Sequence, residues 1–316
     1  MWIPCCGIAI SSRQNDGPSV VLASGPYGVE LWRGTDDLGD NRGMLAALVL
    51  AATISPFDQV VATERAFAAA SMTRGLHEAF LANLAEDAIS FQPLPLPARP
   101  NHLGQPPSKG KLNWGPAWVA TSSAGDIAIS IGPWLFTAPE SPVVKKETTG
   151  WYISVWRRQK DGVWKVAVDT SVEMPMTFAI PKSVQNGFPT DPDKSRPANA
   201  AANARSGLTA TEKAFAVAAR SGIGGAIAVQ ADPLLRVYRQ KAFGEGLETS
   251  GALLAADRRH AACVPDAIVA SASGDLGYSY GSCESIGRDT PVKVAFLHVW
   301  RKQADGSFKL VVDVTP

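Results

Sequence analysis

Two pairs of residues in the sequence are spaced for acid–base chemistry. Asp161-Gly162 and Asp305-Gly306 each separate two alternating apolar runs, a strong local signal for a β-hairpin. With each Asp-Gly as the two central residues, Ser154 faces Asp169 and Trp156 faces Ala167 in the first hairpin. In the second, His298 faces Asp313 and Trp300 faces Val311. Directly opposite residues share a sheet face and lie about 4.5–5.5 Å apart. A histidine beside a carboxylate is a general-base arrangement in which the acid sets the tautomer. This polar pair stands among Phe296, Trp300 and Val311, and the expectation is that it lines a cavity. The same spacing also fits a structural His–Asp pair on an outer or interdomain face.

Glu64 and Glu212 are a second candidate set. Each falls on the apolar stripe of a helical segment, and a carboxylate on such a stripe has a raised pKa and can act as acid or base. Two structural alternatives stand beside that. Thr209-x-x-Glu212 reads as a capping box at a helix start, and Glu64 could pair with an arginine. The aromatic residues offer a lining for a flat apolar ligand: Trp114, Trp134 and Trp156 in the first half of the chain, Tyr238, Tyr278, Tyr280 and Trp300 in the second. Cys263 and Cys283 flank a tight turn at Ala272–Gly274, and a three-residue turn there sets them opposite one another as a disulfide candidate.

Other chemistries find little support. There is no Cys-x-x-Cys and no closely spaced His pair, so no metal site is expected. Ser221-Gly-Ile-Gly-Gly225 follows a helix and lacks the third spaced glycine of a dinucleotide loop. No cofactor is implied. The formal net charge of +1 argues against a nucleic-acid partner. No apolar run reaches the ~18 residues of a membrane span, so stable membrane insertion is not expected. Hydrophobic residues make up 46% of the chain, enough for a real core.

The elements that would position these groups come in two sets. Ala62-Thr-Glu-Arg-Ala-Phe67 recurs as Ala210-Thr-Glu-Lys-Ala-Phe215, Gly125-Asp126 as Gly274-Asp275, and Val155-Trp-Arg-Arg-Gln159 as Val299-Trp-Arg-Lys-Gln303. The matches keep their order and nearly their spacing, which is the signature of a duplication. Each copy opens with helical periodicity (Phe57, Val60, Val61, Glu64, Phe67, Ala68 and Ser71 in the first) and closes in strand-like runs, near 115–122, 126–136, 151–159 and 163–170. Helices followed by an antiparallel meander give an α+β class. The expected division is a leader at 1–55, a first domain at 56–180, a Pro- and Asn-rich linker at 181–207 and a second domain at 208–316. Residues 1–43 carry no core-forming pattern and are expected to be disordered or absent from the mature protein. Met44–Ile54 is an eleven-residue apolar or small run suited to a secretory signal. Translation starting near Met44 would give an exported protein; otherwise it is cytoplasmic.

The order helix–helix–strand–Pro-rich loop–long hairpins resembles the nuclear transport factor 2-like fold, a cone of helices under a curved sheet. The resemblance rests on Leu112-Asn-Trp-Gly-Pro116, Ser123-Ala-Gly-Asp126 with Gly132-Pro-Trp134, and Trp156-Arg-Arg-Gln159 with Asp161-Gly-Val-Trp-Lys165. In the second copy it rests on Ala272-Ser-Gly-Asp275, Tyr280-Gly281, and Trp300-Arg-Lys-Gln303 with Asp305-Gly-Ser-Phe-Lys309. It is similar to a bacterial, often exported subgroup of a superfamily that includes ketosteroid isomerases, SnoaL-like cyclases and association domains. The resemblance implies two tandem cones, and it places Asp169 and Asp313 where SnoaL-like cyclases carry a strand-end acid. The functions it leaves open are binding of a small apolar or amphipathic molecule, a cyclase-type lyase or isomerase using His298 and Asp313, and assembly. Open sheet faces would be available for self-association. Fold does not decide among these.

Overall fold

The computed structural model describes residues 9–10, 20–21, 54–139, 147–188, 197–287 and 290–316. The chain divides into two units, Met1–Thr53 and Ile54–Pro316. In the first, β1 (Ala9–Ile10) pairs antiparallel with β2 (Val20–Val21), a short ladder where no strand pattern is expected. The Met44–Thr53 part of the apolar run lies outside the described residues.

The second unit opens with α1 (Pro56–Arg74), which starts where local chemistry dictates. The Ser55 hydroxyl caps it by accepting from the Asp58 amide at 3.1 Å, with proline in the first turn. Its buried positions, Val60, Val61, Glu64, Phe67, Ala68 and Ser71, follow helical spacing on one face. Next come α2 (Leu76–Asn83), β3 (Leu84–Phe91), β4 (Pro95–Pro97), α3 (Ala98–Gly104) and β5 (Lys111–Trp114). The copy closes with β6 (Trp118–Thr121), β7 (Ile127–Thr137), β8 (Glu147–Arg158) and β9 (Trp164–Glu173).

In the interval read as a linker, Gln185–Asn186 form β10 alongside β6, and Phe188 enters a core. Helix α4 (Ala200–Ala219) then starts eight residues before the expected boundary at 208. The alanine-rich stretch from Ala200 is itself a good helix former, and Ala204 and Leu208 continue the buried stripe of Glu212, Phe215 and Ala219. The second copy continues with α5 (Ile223–Gln230), β11 (Ala231–Arg239), β12 (Ala242–Glu245), α6 (Gly246–Ala256), β13 (Ala261–Ala270), β14 (Leu276–Ser285), β15 (Lys293–Lys302) and β16 (Phe308–Thr315). Among the described residues no helix is long and apolar enough to cross a membrane.

The first sheet has the order β10-β6-β7-β8-β9-β3-β4, with β5 also on β7; the second has β12-β11-β16-β15-β14-β13. The meanders are antiparallel as expected, but β3 runs parallel to β9 and β11 parallel to β16. The class is α+β with mixed sheets. No tight turn joins these parallel partners, so no hairpin signal announces them.

Alternation along each strand divides the side chains between two layers. Ile129, Val155 and Val168 point into one core with Tyr238, Leu276, Val299 and Val312, so the two sheets pack on each other. Trp114, Ala128, Trp156 and Val166 pack against α1 in a second core, and Phe296, Trp300 and Leu310 against α4 in a third. The sheet faces expected to be open for self-association are thus covered by the other copy. The repeated turns reinforce this. Asp126 Oδ2 accepts from the Ala272 amide at 2.8 Å, and Asp275 Oδ2 accepts from the Ser123 amide at 2.9 Å. Each copy makes to the other the contact it receives, the pattern of a two-fold interface built within one chain.

Both Asp-Gly hairpins close one residue wider than a two-residue turn. Gln159 bonds Val163 and Gln303 bonds Ser307, each at 2.8 Å, with Gly162 and Gly306 at φ +83° and +87°. A bulge then shifts the register by one, between Val155/Trp156 in the first copy and Val299/Trp300 in the second. Trp156 therefore pairs with Val166 and Trp300 with Leu310, not with Ala167 and Val311. Beyond the bulges, Ser154 pairs with Asp169 and His298 with Asp313.

The β13–β14 turn behaves alike. It closes between Ser271 and Leu276, and a shift between Pro265 and Ala267 brings Cys263 opposite Cys283. The two cysteines form a disulfide with Cα atoms 3.9 Å apart. Closing a loop of about 20 residues, it is expected to contribute roughly 3 kcal/mol. Urea unfolding of the Cys263→Ala/Cys283→Ala protein checks this; an unchanged midpoint would show that the bond adds nothing to the ladder.

Candidate ligand-binding site

A cavity of about 320 Å³ opens in the first copy, at the lower end of the ~300–1,000 Å³ range of small-molecule pockets. Helices α1, α2 and α3 supply Glu64, Phe67, Phe80 and His102. Strands β5, β7 and β8 supply Trp114, Trp134, Phe136, Tyr152 and Ser154, and the ends of β3 and β9 supply Ser90, Gln92, Asp169, Thr170 and Ser171. Glu64 reaches the sheet because the helical period puts it on the stripe of Val60, Val61 and Phe67. Gly150, opposite Trp134, lets that indole lie against the strand, since a Cβ there would stand 2.7 Å from the ring.

Glu64 is held by two indoles. Trp114 Nε1 donates to Oε1 and Trp156 Nε1 to Oε2, both at 2.8 Å. Among the described residues no arginine pairs with it. Burial raises its pKa to about 7, with the charge of Asp169 adding to the rise and the indole bonds opposing it. Asp169 Oδ1 accepts from Ser154 Oγ at 2.7 Å, and burial lifts its pKa to about 6 against that bond. Tyr152 shares a hydrogen bond of 3.0 Å with Ser130, and burial raises its phenol well above 10, so it stays neutral. His102 stacks on Phe80 with centroids 4.9 Å apart, and burial lowers its pKa, favouring neutral imidazole. The hydroxyls of Ser90 and Thr170 and the Trp134 indole N–H are buried with no hydrogen-bond partner among the described residues.

The second copy uses equivalent positions differently. Glu212 accepts from Trp300 Nε1 at 2.8 Å, from Ser279 Oγ and from His298 Nδ1 at 3.1 Å. His298 Nε2 lies 3.4 Å from Asp313 Oδ1, and Arg239 pairs with Asp313 on its other oxygen. Both ring nitrogens thus face carboxylates, which suits an imidazolium. Burial opposes that charge, but Glu212 and Asp313 outweigh it and hold the His298 pKa near 9. Asp313 is held down to about 2: burial would raise it, and Arg239 and His298 reverse the sign. Burial likewise works against Glu212, and His298 brings its pKa below the usual value.

The placement corrects several expectations. His298, Asp313 and Glu212 do meet, but at 1%, 1% and 2% exposure. The rings of Phe215, Phe296 and Trp300 close round the imidazole at centroid distances of 4.7, 4.4 and 5.6 Å. The pair is a filled core, not the wall of a cavity. Glu212 caps nothing, because α4 begins twelve residues earlier. The Thr209 hydroxyl instead donates to the Arg205 carbonyl.

Of the proposed aromatic lining, Trp114 and Trp134 do line the cavity. Trp156 stands behind Glu64, and Trp300 does the same for Glu212. Tyr238 and Tyr278 belong to the core between the sheets, with Tyr280 packed against it. Sequence reasoning missed Ser90, Thr170, Tyr152, Phe80, Phe136 and His102. Only Tyr152, two residues before Ser154 on an alternating strand, carried a usable signal. Among the described residues, no group of three or more His, Cys, Asp or Glu side chains is placed to hold a metal ion.

No family model matches this sequence, and no curated protein matches it either. The solved structures that it resembles include nuclear transport factor 2-like and ketosteroid-isomerase-like proteins. A nuclear transport factor 2-like protein of unknown function from Shewanella oneidensis is 15% identical, with a TM-score of 0.30, covering 35% of this chain and 96% of its own. One of the same description from Pseudomonas putida is 15% identical with a TM-score of 0.30, covering 38% and 88%. A protein from Shewanella frigidimarina named as a ketosteroid isomerase is 18% identical with a TM-score of 0.31, covering 36% and 97%.

Proposed function

We propose that this protein binds one small, largely apolar molecule in the cavity of the first copy, and that the second copy is its structural partner. The observation that carries this reading is the contrast between the copies. One holds a cavity of about 320 Å³ lined by seven Phe, Trp and Tyr residues and two carboxyls, while the other packs the corresponding centre with side chains. A second reading, proton transfer to or from a bound substrate, draws support from Asp169. Its pKa of about 6 is close to working pH, as a general acid or base requires. In that case the acid–base group is Asp169 and not the His298–Asp313 pair, which is locked in the core. The Cys263–Cys283 disulfide supports a location in an oxidising compartment, in keeping with export.

Native mass spectrometry of protein purified from its own host tests the binding reading. The expected spectrum shows one small molecule per chain. Ser171 is an exposed member of the cavity lining, and Ser171→Trp at this mouth is expected to cut occupancy about ten-fold while leaving the fold intact. Equal occupancy in the variant would place the ligand elsewhere.

A further inference from the structure

The two copies carry the same pair of acids but differ in what neutralises them. Glu64 and Glu212 occupy one repeated position, each held by the indole of Trp156 or Trp300. Asp169 and Asp313 occupy another, facing Ser154 and His298 respectively. Ser90 lies beside Asp169 on the parallel neighbour strand, as Val237 lies beside Asp313. Gln92 and Arg239, each two residues further along, are therefore equivalent. In the second copy His298 and Arg239 supply two cations to two acids. In the first copy both are replaced by neutral groups, Ser154 and Gln92, and a cavity stands there. We propose that the first copy's cavity takes a protonated organic amine on a compact apolar body, the ligand supplying the positive charge that the second copy supplies from its own chain.

Three further observations point to a ligand of this class. Among the described residues lining the cavity, none is Lys or Arg, so an anion would meet two carboxyls and no counter-charge. Seven of the lining residues are Phe, Trp or Tyr, Trp114 and Trp134 among them, and aromatic rings are surroundings in which cations gain from the ring quadrupole. Ser90 and Thr170, 7% and 5% exposed, line the same space with hydroxyls that lack any partner among the described residues. Buried hydroxyls without a partner are uncommon, and these two can accept from a donor placed in the cavity. The titratable groups facing the site are Glu64, Asp169, Tyr152 and His102. The acids have raised pKa values where their counterparts in the second copy are lowered, as expected for a pair lacking its cation.

This inference rests on the cavity being a binding site, and the test separates the two. Four probes of similar shape are titrated calorimetrically into the full chain at pH 8: 2-phenylethylamine, benzyltrimethylammonium, neutral 2-phenylethanol and anionic phenylacetate. One of the two cations is expected to bind about ten-fold tighter than the alcohol, with phenylacetate weakest. That advantage should shrink as the pH falls from 8 to 5, because Glu64 and Asp169 take up protons. Asp169→Asn should lower cation affinity about ten-fold and leave the alcohol unchanged; near-ultraviolet circular dichroism checks its fold, and the wild-type comparison stands without it. Alcohol binding as tight as amine binding overturns the amine and leaves the pocket. No binding of any probe overturns the amine as well, and with no co-purifying molecule in the mass spectra it overturns the pocket too.

Discussion

Replacing His298 by Ala is expected to destabilise the protein by about 3–5 kcal/mol, the cost of breaking a buried ionic group from one side. Glu212 would keep the Trp300 and Ser279 bonds but lose the cation beside it, and Asp313 would keep its pairing with Arg239. A void would also open among Phe215, Phe296 and Trp300. Urea unfolding at pH 6 measures the effect. The pH dependence identifies its cause. His298 has a folded pKa near 9, raised from an ordinary 6.5, so its ionic contribution is complete below pH 6.5 and lost as the pH rises through 9. The gap between wild type and variant should therefore narrow as the pH rises from 6.5 to 9 and stay constant beyond. A gap that stays constant with pH would mean that lost packing, not lost charge, accounts for the whole effect. Replacing His298 and Glu212 together by apolar residues of similar volume should cost less than His298→Ala alone, since no unpaired charge remains between them.

The first copy should show a pH dependence with a different origin. Glu64 has a folded pKa of about 7 against an ordinary 4.5. Between those values the folded protein holds a proton that the unfolded chain has released. Stability from this group is thus greatest below pH 4.5, falls by about 3 kcal/mol as the pH rises to 7, and is flat above. Glu64→Gln should remove that slope. Its overall stability need not rise, because the two indoles donate to different oxygens and the amide NH2 that replaces one of them cannot accept. The slope of unfolding free energy between pH 4.5 and 7 is therefore the quantity to compare, and an identical slope in the variant would mean that Glu64 is already ionised in the folded state. A bound amine should flatten the same slope in wild type by favouring the carboxylate.

Much of this molecule was legible in local patterns. The helical period of Val60, Val61, Glu64 and Phe67 put a carboxylate on an inward face. The Asp-Gly turns set Ser154 against Asp169 and His298 against Asp313, and the cysteine spacing set Cys263 against Cys283. In both Asp-Gly hairpins the reading assumes a turn one residue too short and no bulge, and in the cysteine hairpin a turn one residue too short, offset by the shift at Pro265. The bulge cancelled the error beyond it, leaving only Trp156 and Trp300 with the wrong partners. Turns and periodicity are local, so a few neighbouring residues suffice to specify them.

What the acids do was decided elsewhere. Whether a strand-end aspartate meets a guanidinium or an open space depends on β3 beside β9 and β11 beside β16. These pairs join parallel strands distant in sequence, with no tight turn between them to set the register. Gln92 and Arg239 look unrelated to Asp169 and Asp313 until that pairing is made. Likewise, Tyr238 and Tyr278 read as ligand-facing aromatics until the two sheets close on each other and bury them. The sequence by itself determined the elements, their duplication and the faces on which the carboxylates lie. Only the tertiary structure decided which copy stays hollow, because a cavity is the volume left over once distant side chains have packed, and no segment carries that quantity alone.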